Sequence, residues 1–196
     1  MTTRIIAITG GIGAGKSIVC KILRASGYSV YDCDTEAKRI MDTDAGIKSK
    51  LISLIHPSTI KSDGSIDRPL LSNIVFNCAD KLAVLNSIVH GAVKDDVKAT
   101  ADSMQPGSTL FIESAIVYAS GLNGITDEIW EVTAPEETRI ERVMRRNAMN
   151  YNQVKARINS QNNEFGHPDH YILINDGILP VLPQLEDRLR RSGIMK

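Results

Sequence analysis

A doubly wound α/β fold, with a parallel sheet of about five strands, is what this sequence predicts. Three observations carry the prediction. Short apolar, β-branched runs recur along the chain and alternate with stretches of helical period. Each run ends in a polar or turn residue, as strands do at the ligand-binding edge of a parallel sheet. The first run opens directly into the glycine loop Gly10-Gly11-Ile12-Gly13-Ala14-Gly15-Lys16-Ser17, and a helical stretch follows it.

The elements can be taken in order. Residues 4–9 read as a buried strand, and residues 18–25 continue the loop as a helix. A second strand over 28–31 ends at Asp32, and a third over 109–112 ends at Glu113. A fourth over 129–133 ends at Ala134-Pro135, and a fifth over 171–174 ends at Asn175-Asp176-Gly177. The gap from Asp34 to Thr109 is far longer than a crossover helix needs. It holds turn signals at His56-Pro57, Ser62-Asp63-Gly64-Ser65 and Gln105-Pro106-Gly107, and helical patterns near 35–55, 68–78 and 80–102. Residues 35–108 therefore read as a helical insertion that faces a substrate. A second long gap, 136–170, holds an arginine-rich helical pair. The nucleotide-binding core is assigned to 1–34, 109–135 and 171–196. The whole makes a single domain, a size that 196 residues can bury well.

The glycine loop fits G-x-x-x-x-G-K-[ST], and strand, loop and helix in that order are the setting of a P-loop. Glycines allow positive φ and leave no Cβ in the way of phosphate oxygens. Successive amides then converge on the anion at the positive end of the following helix. Lys16 supplies an ammonium for the β- and γ-phosphates, and Ser17 a hydroxyl for Mg²⁺. The expected ligand is a nucleoside triphosphate with its magnesium ion, and the fold is of the P-loop NTPase type.

Asp32-Cys33-Asp34 follows the second strand. A carboxylate there can accept the proton of an attacking hydroxyl, or it can cap the next helix. Glu113 stands where an acid would position magnesium through water, or it is an exposed strand end. Arg139, Arg142, Arg145, Arg146 and Arg157 are either the wet side of an amphipathic helix, whose apolar face is Ile140, Val143 and Met144, or the cations of a closing lid. Arg142 and Arg146 are four apart and share a face. His167 and His170 bracket Pro168-Asp169. They read as a surface loop rather than a metal pair, because no further ligand accompanies them. Cys33, between two aspartates, reads as an inert thiol.

Bulk properties narrow the class. Basic and acidic residues balance at 23 each, without blocks of like charge, so nothing marks a nucleic-acid or anionic-membrane surface. Cys20, Cys33 and Cys78 form neither a zinc pattern nor a disulfide framework, which suits a reducing compartment. Gly10 and Gly11 cut short the N-terminal apolar run, unlike a signal peptide. No stretch approaches the roughly 20 apolar residues of a membrane span. A soluble cytoplasmic protein is expected, as a monomer or weak homo-oligomer.

In combination these motifs resemble one family. The loop with Thr9 before it, Asp32-Cys33-Asp34, Asp63-Gly64-Ser65-Ile66-Asp67-Arg68 backed by Leu71 and Phe76, and Leu85-Asn86-Ser87-Ile88-Val89-His90 look like dephospho-CoA kinase. Arg142-Val143-Met144-Arg145-Arg146 and Arg157-Ile158-Asn159-Ser160-Gln161 look like its lid, and Asn175-Asp176-Gly177 like its loop beside the adenine. The resemblance implies that ATP phosphorylates the ribose 3′-hydroxyl of dephospho-CoA, giving CoA and ADP. It implies Asp34 as general base, with Lys16, Arg142 and Arg146 acting on the phosphates. It implies an ATP cradle of Gly11, Ile12, Gly13, Ala14, Gly15, Lys16, Ser17 and Ile18 together with Asn175. Asp32, Asp34, Arg68 and His90 would bind the acceptor, and Ser17 and Glu113 the magnesium. The chain departs from the family pattern at Ile18, usually a second hydroxyl residue, at Gly91, usually proline, and at Asn147, usually aspartate.

Two other readings compete. A different small-metabolite P-loop kinase, shikimate-like or acting on nucleosides, shares the loop and the aspartate pair. The triple-glycine run of the shikimate type is absent, and its small acceptor needs no such insertion. A GTP-binding switch would need Asp-x-x-Gly after a strand and Asn-Lys-x-Asp, and neither string occurs.

Overall fold

The short β-branched runs form the strands, and all of them lie parallel in one sheet, the central ones buried on both faces and the edge strands partly exposed. They are β1 (Arg4–Thr9), β2 (Ser29–Asp32), β3 (Thr109–Glu113), β4 (Glu128–Thr133) and β5 (Tyr171–Ile174). The computed structural model describes residues 2–161 and 164–194. Strand order is β2–β3–β1–β4–β5. The chain leaves β1 toward one edge of the sheet and later returns to fill the other side. The loop after β1 therefore lies at the switch point where such sheets bind ligands.

One face of the sheet is closed by α1 (Lys16–Ala25) and α8 (Val181–Arg191). Ile6, Ile8, Phe111, Trp130, Val132 and Leu173 pack there with Val19, Cys20 and Leu23 of α1 and Leu185 and Leu189 of α8. Trp130 is wholly buried, and its indole N–H donates to Glu128 Oε2 at 2.7 Å. Glu128 also pairs with Arg4 and with Arg188, whose guanidinium lies 4.4 Å over the Tyr171 ring. This network ties β1, β4, β5 and α8 together at the sheet edge away from the glycine loop. Burial works to raise the Glu128 carboxyl, yet bonds from Trp130 and Arg188 and the charges of Arg188 and Arg4 hold it below the usual range.

The chain divides into two compact units, residues 33–99 and the remainder. The smaller contains α2 (Cys33–Thr43), α3 (Ala45–Lys50), a π-helical turn (Leu51–Ile55), a 3-10 turn (Pro57–Thr59), α4 (Arg68–Phe76) and most of α5 (Ala79–Ser103). The helical stretch expected over 35–55 is interrupted at Asp44, whose side chain accepts the Ile47 N–H at 2.9 Å and caps α3. Asp67 caps α4 in the same way through Leu70 N–H. Within this unit α2, α3 and α5 line a groove of about 850 Å³ that includes Arg39, Lys50, Ser87 and Gly91.

In the larger unit, α6 (Glu136–Asn147) and α7 (Tyr151–Asn159) follow β4. Ala148 in the left-handed region ends α6, and an Asn150–Gln153 capping box starts α7. Their shared core is Ile140, Val143, Val154 and Ile158. Met144, expected on the apolar face of α6, is exposed; Ile12 of the glycine loop and Met149 pack against that core instead. Among the described residues no helix is long and apolar enough to cross a membrane.

Candidate active site

The glycine loop is ordered by its own bonds before any ligand is considered. Ala14 N–H donates to Gly11 O, and Lys16 Nζ donates to Gly10 O at 2.6 Å. Gly15 takes φ 100°, the left-handed turn into α1, and a side chain there would collide with Asn175 Nδ2. The first turn of α1 contains Lys16 and Ser17 and no acid, so the positive end of the helix dipole meets no opposing charge within it. Ile18 donates its N–H to Gly15 O. Such a loop can hold an anionic phosphate.

Asn175 braces the loop from the end of β5. Its Nδ2 donates to Ala14 O at 2.8 Å, and its own N–H donates to Thr133 O. Arg142 reaches the same place: Nη1 donates to Asn175 O at 2.9 Å and lies 3.5 Å from Gly13 O. Arg142 is thus at the loop. Arg146, one turn further, is exposed and donates from Nε to Asn147 Oδ1 at 2.8 Å.

Two carboxylates stand side by side at the same sheet edge. Asp32 and Glu113 are register partners on β2 and β3, so their side chains leave one face together. That face carries α1, whose Cys20 thiol feels the Glu113 carboxylate. Burial first, and then the Glu113 carboxylate, push the Cys20 thiol far up and leave it inert. The hydroxyl of Ser17 and these carboxylates are all hard oxygen donors, the type that suits magnesium.

The remaining predicted residues lie in the smaller unit. Asp34 falls in the first turn of α2, two residues beyond Asp32. Arg68 opens α4 and pairs with Asp42 at 2.8 Å. His90 is half-buried in α5.

The two histidines differ from the surface loop expected of them. His170 is buried, with Nδ1 2.7 Å from Glu131 Oε2 and Nε2 2.9 Å from the Tyr118 hydroxyl. His167 stacks on Tyr118 at 4.1 Å. Buried Glu164 accepts the N–H groups of Tyr118 and Ala119. Among the described residues no group of three or more His, Cys, Asp or Glu side chains could hold a metal ion. A signal for this cluster was present: Glu131 sits mid-strand between Trp130 and Val132, where a charge needs a buried partner.

Arg139 and Gln161, read from the sequence only as parts of the lid, also bind the loop. Arg139 Nε donates to Ile12 O, and Gln161 Oε1 accepts Ile12 N–H, each at 2.9 Å. Their partners are main-chain atoms, which carry no residue-specific signal.

Comparisons with known proteins point to one family. The dephospho-CoA kinase family model matches residues 4–179. A dephospho-CoA kinase of Bacteroides fragilis is 35% identical over 182 residues, covering 92% of this chain and 88% of the relative. One of Porphyromonas gingivalis is 37% identical over 159 residues, covering 81% and 78%. Among solved structures, TT1252 from Thermus thermophilus superposes with a TM-score of 0.77 at 29% identity, covering 98% of this chain and 97% of that one. Dephospho-CoA kinase from Campylobacter jejuni, at 21% identity and a TM-score of 0.66, shares the fold.

Proposed function

The chain belongs to the dephospho-CoA kinase family, and we propose that it carries out that family's reaction with Asp34 as base, the glycine loop as ATP cradle and Arg142 as lid cation. It is a phosphotransferase that uses ATP to phosphorylate dephospho-CoA at the ribose 3′-hydroxyl, the final step of CoA biosynthesis. The observation that carries the assignment of roles is the convergence of Asn175 and Arg142 on the loop carbonyls of Ala14 and Gly13.

In this reading the loop amides and Lys16 hold the β- and γ-phosphates. Arg142 places a guanidinium beside them, where negative charge grows on the transferring group. Arg146 belongs to the same lid face and joins when that face closes. Asn175 keeps the loop in shape and borders the adenine. Ser17 and Glu113, with Asp32 beside it, would hold the magnesium ion, which when bound neutralises the phosphate charge. Asp34 takes the proton of the attacking hydroxyl. Asp32, Arg68 and His90 bind the acceptor, and residues 35–108 form its lobe. Residues 136–170 form the lid that keeps water from the phosphates.

A coupled ADP-release assay tests the reading. ATP turnover should appear with dephospho-CoA and not with shikimate or nucleosides. Turnover with one of those acceptors and none with dephospho-CoA overturns it.

A further inference from the structure

One residue of the glycine loop, Ile12, is held from both sides by the lid. The Ile12 N–H donates to Gln161 Oε1, just beyond α7, and the Ile12 carbonyl accepts Arg139 Nε of α6. The two grips therefore come from α6 and from the turn that follows α7. The Ile12 side chain completes the joint, because it packs against Ile140, Val143, Val154 and Ile158. The α6 backbone closes the remaining side. A Cβ on Gly13 would lie 2.5 Å from Arg139 O, so only glycine allows this approach. The Arg139 guanidinium lies against Gly11.

We infer that Gln161 and Arg139 are positioning residues for phosphoryl transfer: through the Ile12 backbone they fix the glycine loop to the arginine-bearing helices. A loop this rich in glycine has many conformations to lose when it orders around phosphate. A joint at Ile12 removes much of that freedom in advance. It also keeps Gly13 and the Arg142 guanidinium in one relative geometry, and small misplacements at a transfer site cost rate heavily. Burial holds the Arg139 guanidinium below its usual pKa, as fits a group seated in a joint rather than spread in solvent.

The inference rests on the ATP reading of the loop, and steady-state kinetics with ATP and dephospho-CoA test both separately. Gln161→Leu and Arg139→Met each remove one grip while keeping a side chain of similar length. Each should lower kcat/KM for ATP by about tenfold or more. Arg139→Gln keeps an N–H donor for the Ile12 carbonyl and should return to within about threefold of the unsubstituted enzyme. The double variant Gln161→Leu/Arg139→Met should lose less than the product of the single losses, because a backbone residue freed on one side gains little from the grip on the other. If Gln161→Leu does not fold, Gln161→Ser removes the same acceptor contact and carries the same expectation. Single variants within about twofold of the unsubstituted enzyme, whatever their melting temperature, overturn the inference. So does Arg139→Gln as slow as Arg139→Met, or a double variant whose losses multiply. An unsubstituted enzyme inactive with ATP and dephospho-CoA overturns the ATP reading and this inference with it.

Discussion

His170 Nδ1 lies 2.7 Å from Glu131 Oε2, and both side chains are almost wholly removed from solvent. Glu131 also accepts the Gly166 N–H at 2.8 Å, and the far side of the imidazole meets Tyr118. Glu164 meanwhile fastens to the Tyr118 and Ala119 amides. Residues 164–170 are thereby bolted to the loop after β3. Removing the imidazole deprives a buried carboxylate of its ring partner. His170→Leu should therefore cost about 3 kcal/mol, the usual penalty for stranding a buried charged group. Urea unfolding measures it; a loss within about 0.5 kcal/mol, as at an ordinary surface position, contradicts the relationship.

Asn175 offers a test of the loop brace. Asn175→Leu keeps the volume but removes the donor that holds Ala14 O. A net hydrogen bond of about 1 kcal/mol corresponds to about a fivefold rise in KM for ATP, with kcat much less affected. An unchanged KM for ATP would show that the loop holds its shape without this bond.

Glu128 links the sheet to acid stability. Its folded carboxyl is held below the usual range, so it binds a proton less readily than in the unfolded chain. The stability it contributes is present above the ordinary glutamate range and is lost as pH falls through the depressed folded value. Glu128→Gln should accordingly be less stable than the unsubstituted protein at neutral pH, with the gap closing in acid. Melting temperatures from pH 7 downward check this. A gap that widens in acid has the wrong sign.

Much of this was legible in the sequence, and particular residues explain what was not. The strands were readable because short runs such as Arg4–Thr9 and Tyr171–Ile174 are apolar, β-branched and bounded by turn residues. The loop was readable because its chemistry fixes residue identities, from the glycines to Lys16 and Ser17. The break at Asp44 escaped because a helix pattern continues across it, and only the cap to Ile47 N–H ends one helix and starts another. His170 escaped because its neighbours Pro168 and Asp169 look like loop, while its partner Glu131 is 39 residues away in the chain. Ile12 was read as part of the ATP cradle, and its second role was not. Its role in the lid core arises from tertiary packing between segments far apart in sequence.

The most direct measurement is turnover of dephospho-CoA by Asp34→Asn beside Asp32→Asn. Each variant would be assayed for CoA formation and for ATP binding. The account predicts that Asp34→Asn binds ATP nearly as before and loses about 10²-fold or more in kcat, the usual contribution of a general base. Asp34→Asn with near-normal turnover, and the large loss appearing in Asp32→Asn instead, would contradict it and move the base to the other carboxylate.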